Sequence, residues 1–233
     1  SDLISGPLKV LLIRFSSFGD LTQALSIPTR LKELGQSHPE GVQVHWVTRS
    51  DLAPLVEHHP HVDRLWKLDR KTGLLGLWRL VRELKRQNYS HIYDAHNNLR
   101  SHLICWLLSP PLSISRLLLP PQVLRKSQKR WKRFLLFRFH KNTYEMPFSG
   151  QRDLLEPLTK WGLAKTLPPV PQLFLETTEV EKAKTWLQQK GLASFVALAP
   201  SAAYPLKRWP VDHWKQLIRL MPQQKFVCLG GAE

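Results

Sequence analysis

Residues 9–34, KVLLIRFSSFGDLTQALSIPTRLKEL, decide the fold. Lys9 to Arg14 is a continuous apolar run without the polar alternation of a half-exposed strand, and it reads as a strand covered on both faces. Phe15 to Gly19 is a turn of mostly small residues. Asp20 to Leu34 then carries apolar residues at 21, 24, 25, 31 and 34, the spacing of a helix. Pro28 falls inside that pattern and predicts a kink or an interrupted first turn.

Outward from this unit the alternation continues. Expected strands are Val42 to Thr48, Arg64 to Leu68, Ser90 to Ala95 and Ile114 to Leu118. Expected helices between and after them are Leu52 to Glu57, Leu74 to Arg86, Leu99 to Leu108 and Gln151 to Trp161. The spacing of Leu74, Leu77, Trp78, Val81 and Leu84 puts them on one side of their helix. Leu167-Pro168-Pro169-Val170-Pro171 reads as a linker. Beyond it come helix Glu179 to Lys190, strand Ser194 to Ala199, helix Pro210 to Met221 and strand Lys225 to Leu229. Strands alternating with helices predict an α/β protein with doubly wound parallel sheets. The expected division is a first domain over 1–166, a Pro-rich linker over 167–176 and a second domain over 177–233. Two strands with one crossover cannot bury both faces of a sheet, so the second domain reads as incomplete.

Composition narrows the function classes. Of 233 residues, 42% are hydrophobic and 22% charged, which excludes general disorder. No stretch approaches the roughly 18 apolar residues of a spanning helix, and Ser1 to Gly6 lacks a secretory signal pattern, so the reading is cytoplasmic. Cys105 and Cys228 lie far apart without metal-ligand spacing and read as core thiols. Lys and Arg total 34 against 18 Asp and Glu, which points to an anionic partner. The surplus gathers in 116–141, with nine basic residues and no acid: Arg116, Arg125, Lys126, Lys129, Arg130, Lys132, Arg133, Arg138 and Lys141. Such a run gives up local pairing. Trp131, Phe134, Leu135, Leu136, Phe137 and Phe139 interleave with it. This suits a solvated helix face, nucleic-acid stacking, an anionic membrane surface or a phosphorylated lipid head group. Trp131, Phe134 and Leu135 share a helical face, whereas Phe137 and Phe139 fall off it, which weakens the membrane-helix signal.

Three loops carry polar groups at expected strand ends, where open parallel sheets bind ligands. Asp20 suits a general base toward a substrate hydroxyl, or equally a helix cap. Ser16-Ser17-Phe18-Gly19 lacks dinucleotide-binding spacing. In 200–210, PSAAYPLKRWP, Ser201, Lys207 and Arg208 precede a helix start and suit phosphate binding or a solvated loop. In 94–100, DAHNNLR, His96 suits a base, a hydrogen-bond donor or a structural role.

Taken together, 9–34, HPHVDRLWKLD at 59–69, YSHIYDAHNNLRS at 89–101 and VALAPSAAYPLKRWPVDHWKQLI at 196–218 resemble the ADP-heptose:lipopolysaccharide heptosyltransferases. The resemblance implies a GT-B enzyme of two Rossmann-like domains, the first holding the lipid acceptor and the second the nucleotide sugar. It implies inverting transfer without metal or other cofactor, ADP-heptose being a substrate. Asp20 then matches the general base and Lys207 the lysine on the departing diphosphate. Ser201 matches a phosphate-contacting hydroxyl, Arg208 lies in the same donor block, and Glu233 matches the acid on the donor ribose. The acceptor cleft falls on Ser17, Gly19, His96, Asn98, Arg100, Arg116, Arg125, Lys126, Lys129 and Arg130. Its occupant is Kdo-bearing lipid A or a heptosylated inner core, at the inner face of the bacterial inner membrane, held there by the basic patch, with no nucleic acid expected. Alternatives are a related GT-B enzyme with another nucleotide sugar, or a non-catalytic protein binding anionic lipid or nucleic acid. Two departures stand out. Ala202 replaces a family glycine, and the family's second donor motif has no counterpart in these 233 residues.

Overall fold

Five strands, β1 (Leu8–Ile13), β2 (Val42–Arg49), β3 (Arg64–Leu68), β4 (His91–Asp94) and β5 (Gln122–Arg125), pair in parallel in the order β3-β2-β1-β4-β5. The structure, a computed structural model, describes residues 7–109, 121–202 and 204–230. β1 is central, and Val10 to Ile13 are fully buried. Successive side chains of a strand point to opposite faces. Val10 and Leu12 therefore join one core and Leu11 and Ile13 another. Two cores explain why the strand shows no alternation.

The first core is closed by α1 (Phe18–Ala24), α2 (Ser26–Lys32) and α6 (Gly150–Leu155), through Leu21, Ala24, Ile27, Leu31, Leu154 and Leu155. The second is closed by α3 (Gly73–Lys85) and α4 (Leu99–Leu108), through Leu77, Leu80, Val81, Leu84, Ile104 and Cys105. One further helix, α5 (Arg130–Phe139), buries none of its residues fully. A buried hydroxyl ties sheet to helix: Tyr93 Oη donates to the Leu154 carbonyl at 2.5 Å.

Several expectations shift. The helix expected over 20–34 is two helices meeting at Leu25, with Pro28 in the first turn of the second, where no intrahelical N–H is needed. Leu74 and Trp78 are 80% and 59% exposed, and Leu80 takes a core place instead. The helix expected at 52–57 is a 3-10 turn, Ser50–Leu55, with Pro54 inside it. The helix expected over 151–161 becomes 3-10 from Glu156, just before Pro157. The strand expected at 114–118 lies outside the described residues. β5 forms within the basic run. Cys105 is buried as expected, but Cys228 is exposed.

The chain divides into two compact units, Ser1–Phe174 and Leu175–Glu233. Residues 166–174 are fastened to the first. Arg30 Nε donates to the Thr166 carbonyl at 2.9 Å, Thr29 Oγ1 to Gln172 Oε1 at 2.9 Å, and the Phe174 ring meets His59 edge-on at 5.1 Å. In the second unit, α7 (Thr177–Gln189) precedes β6 (Val196–Leu198), α8 (Val211–Leu220) and β7 (Phe226–Cys228), with β6 and β7 parallel.

Because Leu21 fills the first core without solvent contact, Leu21→Ala is expected to destabilise the fold by about 2–5 kcal/mol. Tyr93→Phe, which removes the buried hydroxyl bonded to the Leu154 carbonyl, is expected to cost about 1–3 kcal/mol. Urea unfolding of both variants measures these losses.

Candidate active site

In an open parallel sheet the crevice for ligands lies where neighbouring connections run in opposite directions, beyond the carboxyl ends of the strands. Here that point is between β1 and β4, whose following segments lead to opposite edges of the sheet. The two strand ends are joined directly, with Ala95 N donating to the Ile13 carbonyl at 3.1 Å.

Arg14 directly follows β1 and is only 5% exposed. Its Nη1 donates to the Ala95 carbonyl on the β4 side, and its Nη2 lies 2.8 Å from Asp20 Oδ2 on α1. Ser17 donates its backbone N–H to the same oxygen at 3.2 Å and its Oγ at 3.0 Å. Asp20 is therefore both the acid of a capping box and the partner of a buried charge, so the two sequence readings of it coexist. Oδ1 accepts no hydrogen bond among the described residues, and the side chain is 47% exposed. Burial works to raise the Asp20 pKa, but Arg14, the Ser17 bonds and the field of Lys126 outweigh it and hold the carboxyl below its usual 3.8. A Cβ placed on Gly19 would meet nothing within 4 Å, so neither packing nor backbone conformation demands glycine there, and the approach to α1 is open.

The β4 loop is built on Asp94, which is fully buried. Oδ1 accepts from the N–H groups of His96 at 3.1 Å and Asn97 at 2.8 Å, and Oδ2 accepts from Ser101 Oγ at 2.9 Å. This turn brings His96 against Phe15, ring centroids 5.2 Å apart. Burial first and Arg14 second lower the His96 pKa from 6.5, so the imidazole is neutral at pH 7. Lys126, just past β5, is half-buried. Its pKa is lowered by burial and then by Arg14, against the pull of Asp153 and Asp20. Its ammonium makes no ion pair among the described residues.

Of the residues expected around the acceptor, Ser17, Gly19, His96 and Lys126 thus gather with Asp20. The others have local duties. Asn98 caps α4, accepting from Ser101 N at 2.9 Å, and Arg100 is exposed on the first turn of that helix. Arg125 Nε stands 3.7 Å from Asp94 Oδ2. Arg130 Nε donates to Gln128 Oε1 at 2.8 Å. Lys129 is turned to Asp153 and to Glu156, the latter at 2.5 Å. The acid-free run is therefore not without intramolecular partners, since tertiary structure supplies carboxylates from beyond it. Arg116 and Glu233 lie outside the described residues.

In the second unit the loop after β6 is exposed. Ser201 faces solvent, and Lys207 ends a 3-10 turn, Pro205–Lys207, with its Nζ 5.4 Å from the Tyr204 ring centre. Arg208 Nε donates to the Ala202 carbonyl at 2.5 Å. Trp209 packs edge-on against Trp214 at 4.8 Å, fixing the entry to α8.

Arg14 escaped the sequence reading as a functional residue, and Asp94 was read only as part of the polar cluster 94–100, with no role of its own. The available signal was a charge closing each of two apolar strands. Replacing Arg14 with Met is expected to raise the Asp20 pKa. It also removes a stabilisation that the native pair provides above the unfolded carboxyl pKa and loses as pH falls through the depressed folded value. Carboxyl NMR titration of the two proteins reads this directly.

Residues 77–233 match glycosyltransferase family 9 (heptosyltransferase). Lipopolysaccharide heptosyltransferase 1 of Campylobacter coli is 23% identical over 103 residues, 44% of this chain and 29% of that protein. A solved glycosyl transferase family 9 structure from Veillonella parvula superposes with a TM-score of 0.70 at 16% identity, over 99% of this chain and 65% of that one. E. coli heptosyltransferase WaaC with ADP gives a TM-score of 0.62 at 17% identity over 97% and 69%. Its complex with ADP-2-deoxy-2-fluoro heptose gives 0.60 at 18% over 97% and 70%. The chain thus spans about two-thirds of these solved structures and less than a third of the Campylobacter protein. The fold is that of the GT-B glycosyltransferases, in the part the chain covers. On the match over 77–233, this chain belongs to glycosyltransferase family 9.

Proposed function

We propose that the protein transfers heptose from ADP-heptose to the lipopolysaccharide inner core, at Kdo-bearing lipid A or an already heptosylated core. The transfer proceeds with inversion and without metal or other cofactor, at the inner face of the inner membrane. The observation that carries this reading is the Asp20 carboxylate, kept ionised at the strand-end crevice with Oδ1 free of hydrogen bonds among the described residues.

In this mechanism Oδ1 takes the proton of the acceptor hydroxyl as that oxygen bonds to the anomeric carbon. The bond from that carbon to the diphosphate breaks on the opposite side, and its electron pair leaves with ADP. A base with a depressed pKa is weak toward a free alcohol, but the hydroxyl becomes strongly acidic once bonded to an electron-poor carbon, so the proton moves late. Lys207 and Ser201 bind the departing diphosphate, with stabilisation growing as charge develops. Lys126 supplies a cation for the acidic sugar, and neutral His96 a hydrogen bond.

Acceptor-dependent ADP release is the test. Asp20→Asn is expected to lower kcat by about 10²- to 10⁴-fold while acceptor binding persists. Lys207→Gln is expected to lower kcat/KM for the donor by about 10²-fold. Undiminished release in the Asp20 variant defeats the assignment of the base. Release only from a different nucleotide sugar moves the donor elsewhere. Because the Asp20 pKa lies below 3.8, the kcat/KM profile is expected to show no acid limb from this group above about pH 4.

A further inference from the structure

We propose that the outward face of α5 is a membrane-contact surface, whose aromatic rings enter the headgroup layer of an anionic bilayer while neighbouring arginines meet the lipid phosphates. At 3.6 residues per turn, Trp131, Phe134 and Phe137 share an arc of about 120°, and Arg130 and Arg138 fall within it. The three aromatic residues are 70%, 46% and 76% exposed. Lys132, Leu135 and Leu136 are partly covered, so Leu135, which spacing alone groups with Trp131 and Phe134, turns inward and Phe137 joins the exposed rings in its place. Tertiary packing has thus chosen which side of an ambiguous helix faces out, and it is the aromatic side. A helix on a soluble protein ordinarily turns polar groups outward, and a run of exposed rings marks an interaction surface.

The occupant follows from charge and shape. Lys129 is neutralised by Asp153 and Glu156, while Arg133 donates to the Gln128 carbonyl at 2.7 Å and keeps its charge. Arg130 and Arg138 meet no carboxylate among the described residues. Arg138 instead stands 5.6 Å from the Phe139 ring. Rings flanked by unpaired guanidinium groups on one convex face match an interfacial helix, the charged heads reaching phosphates as the rings sink between lipids. Ten residues reach only about 15 Å, so this helix lies on a bilayer. No helix among the described residues is long and apolar enough to cross one. A single strand of nucleic acid fits less well, because Trp131 and Phe134 stack on each other, centroids 5.4 Å apart, and turn ring faces inward that bases would need.

The placement suits a lipid-borne acceptor. Gln128 Nε2 donates to the Asn97 carbonyl at 3.0 Å, and Lys126 N donates to the Asp94 carbonyl at 2.9 Å. The start of α5 is therefore fastened to the end of β4, which faces Asp20 across the crevice. This inference deepens the proposed function and rests on it only for the acceptor being a lipid.

The test is sedimentation of the whole chain with vesicles of phosphatidylcholine alone or mixed with phosphatidylglycerol, at about 0.15 M salt, where surface charge is screened beyond about 8 Å. The native chain is expected to favour the anionic vesicles. Combined Trp131→Ser, Phe134→Ser and Phe137→Ser is expected to lower its partition at least about tenfold. Phe137→Ser alone is expected to lower it severalfold, and serves if the triple variant loses its native thermal transition. Asp20→Asn is expected to bind like the native chain. Equal partition of native and ring-less chains overturns the proposal, as does equal binding to neutral and anionic vesicles. Tighter binding to a single-stranded oligonucleotide that also depends on the rings overturns it in favour of nucleic acid. Ring-dependent vesicle binding without ADP release leaves this surface standing while the transferase reading falls.

Discussion

A guanidinium almost wholly removed from water needs compensation for its charge, because desolvating an ion without a partner costs several kcal/mol. Arg14 finds it across two loops, in the Ala95 carbonyl and in Asp20. One side chain therefore closes the crevice between β1 and β4, fixes where the Asp20 carboxylate sits and keeps it ionised. Asp94 does the equivalent work in the second loop, where a buried carboxylate gathers the N–H groups of a turn and the hydroxyl of Ser101. The site is thus two buried charges, each satisfied by groups that hold half-exposed side chains in place.

Charge is distributed by the same logic over the basic segment. A formal surplus of 16 says only that an anion is wanted somewhere. The fold spends some of these cations internally, with Lys129 on Asp153 and Glu156 and Arg125 facing Asp94. It leaves others near the crevice or on the outer face of α5. Lys126 is the informative case, because a half-buried ammonium with a lowered pKa and no ion pair among the described residues is held ready for an anion. Affinity for an anion would come from these remaining cations, since the paired ones have already given up their field.

Much of the first unit was legible because a strand buried on both faces has an unmistakable composition. Val10 to Ile13 could be little else, and Leu99–Leu108 and Arg64–Leu68 fall where their patterns end. Errors arose where one face of an element must be chosen. The pattern of α3 admits Leu74 and Trp78 as readily as Leu80, and only packing against the second core decides which are covered. The ambiguous side of α5 and the exposed Cys228 are the same kind of failure. In the site, Asp20 stood out as a lone acid after a turn, and His96 as a polar group at a strand end. Arg14 looked like a strand terminus, since nothing local shows that its partners are Ala95, 81 residues away, and Asp20.

The sequence by itself determined the α/β alternation, the central buried strand, the acid at the first strand end and the concentration of cations over 116–141, because each is a local pattern of polarity. Only the tertiary structure decided which cations remain free, which side of α5 meets solvent and which oxygen of Asp20 is left open. The first two depend on contacts between residues far apart in the chain, and the third on Arg14, which Ala95 holds from 81 residues away. Polarity read along a chain reports whether a group wants water or a partner, and the fold alone brings the partner within reach.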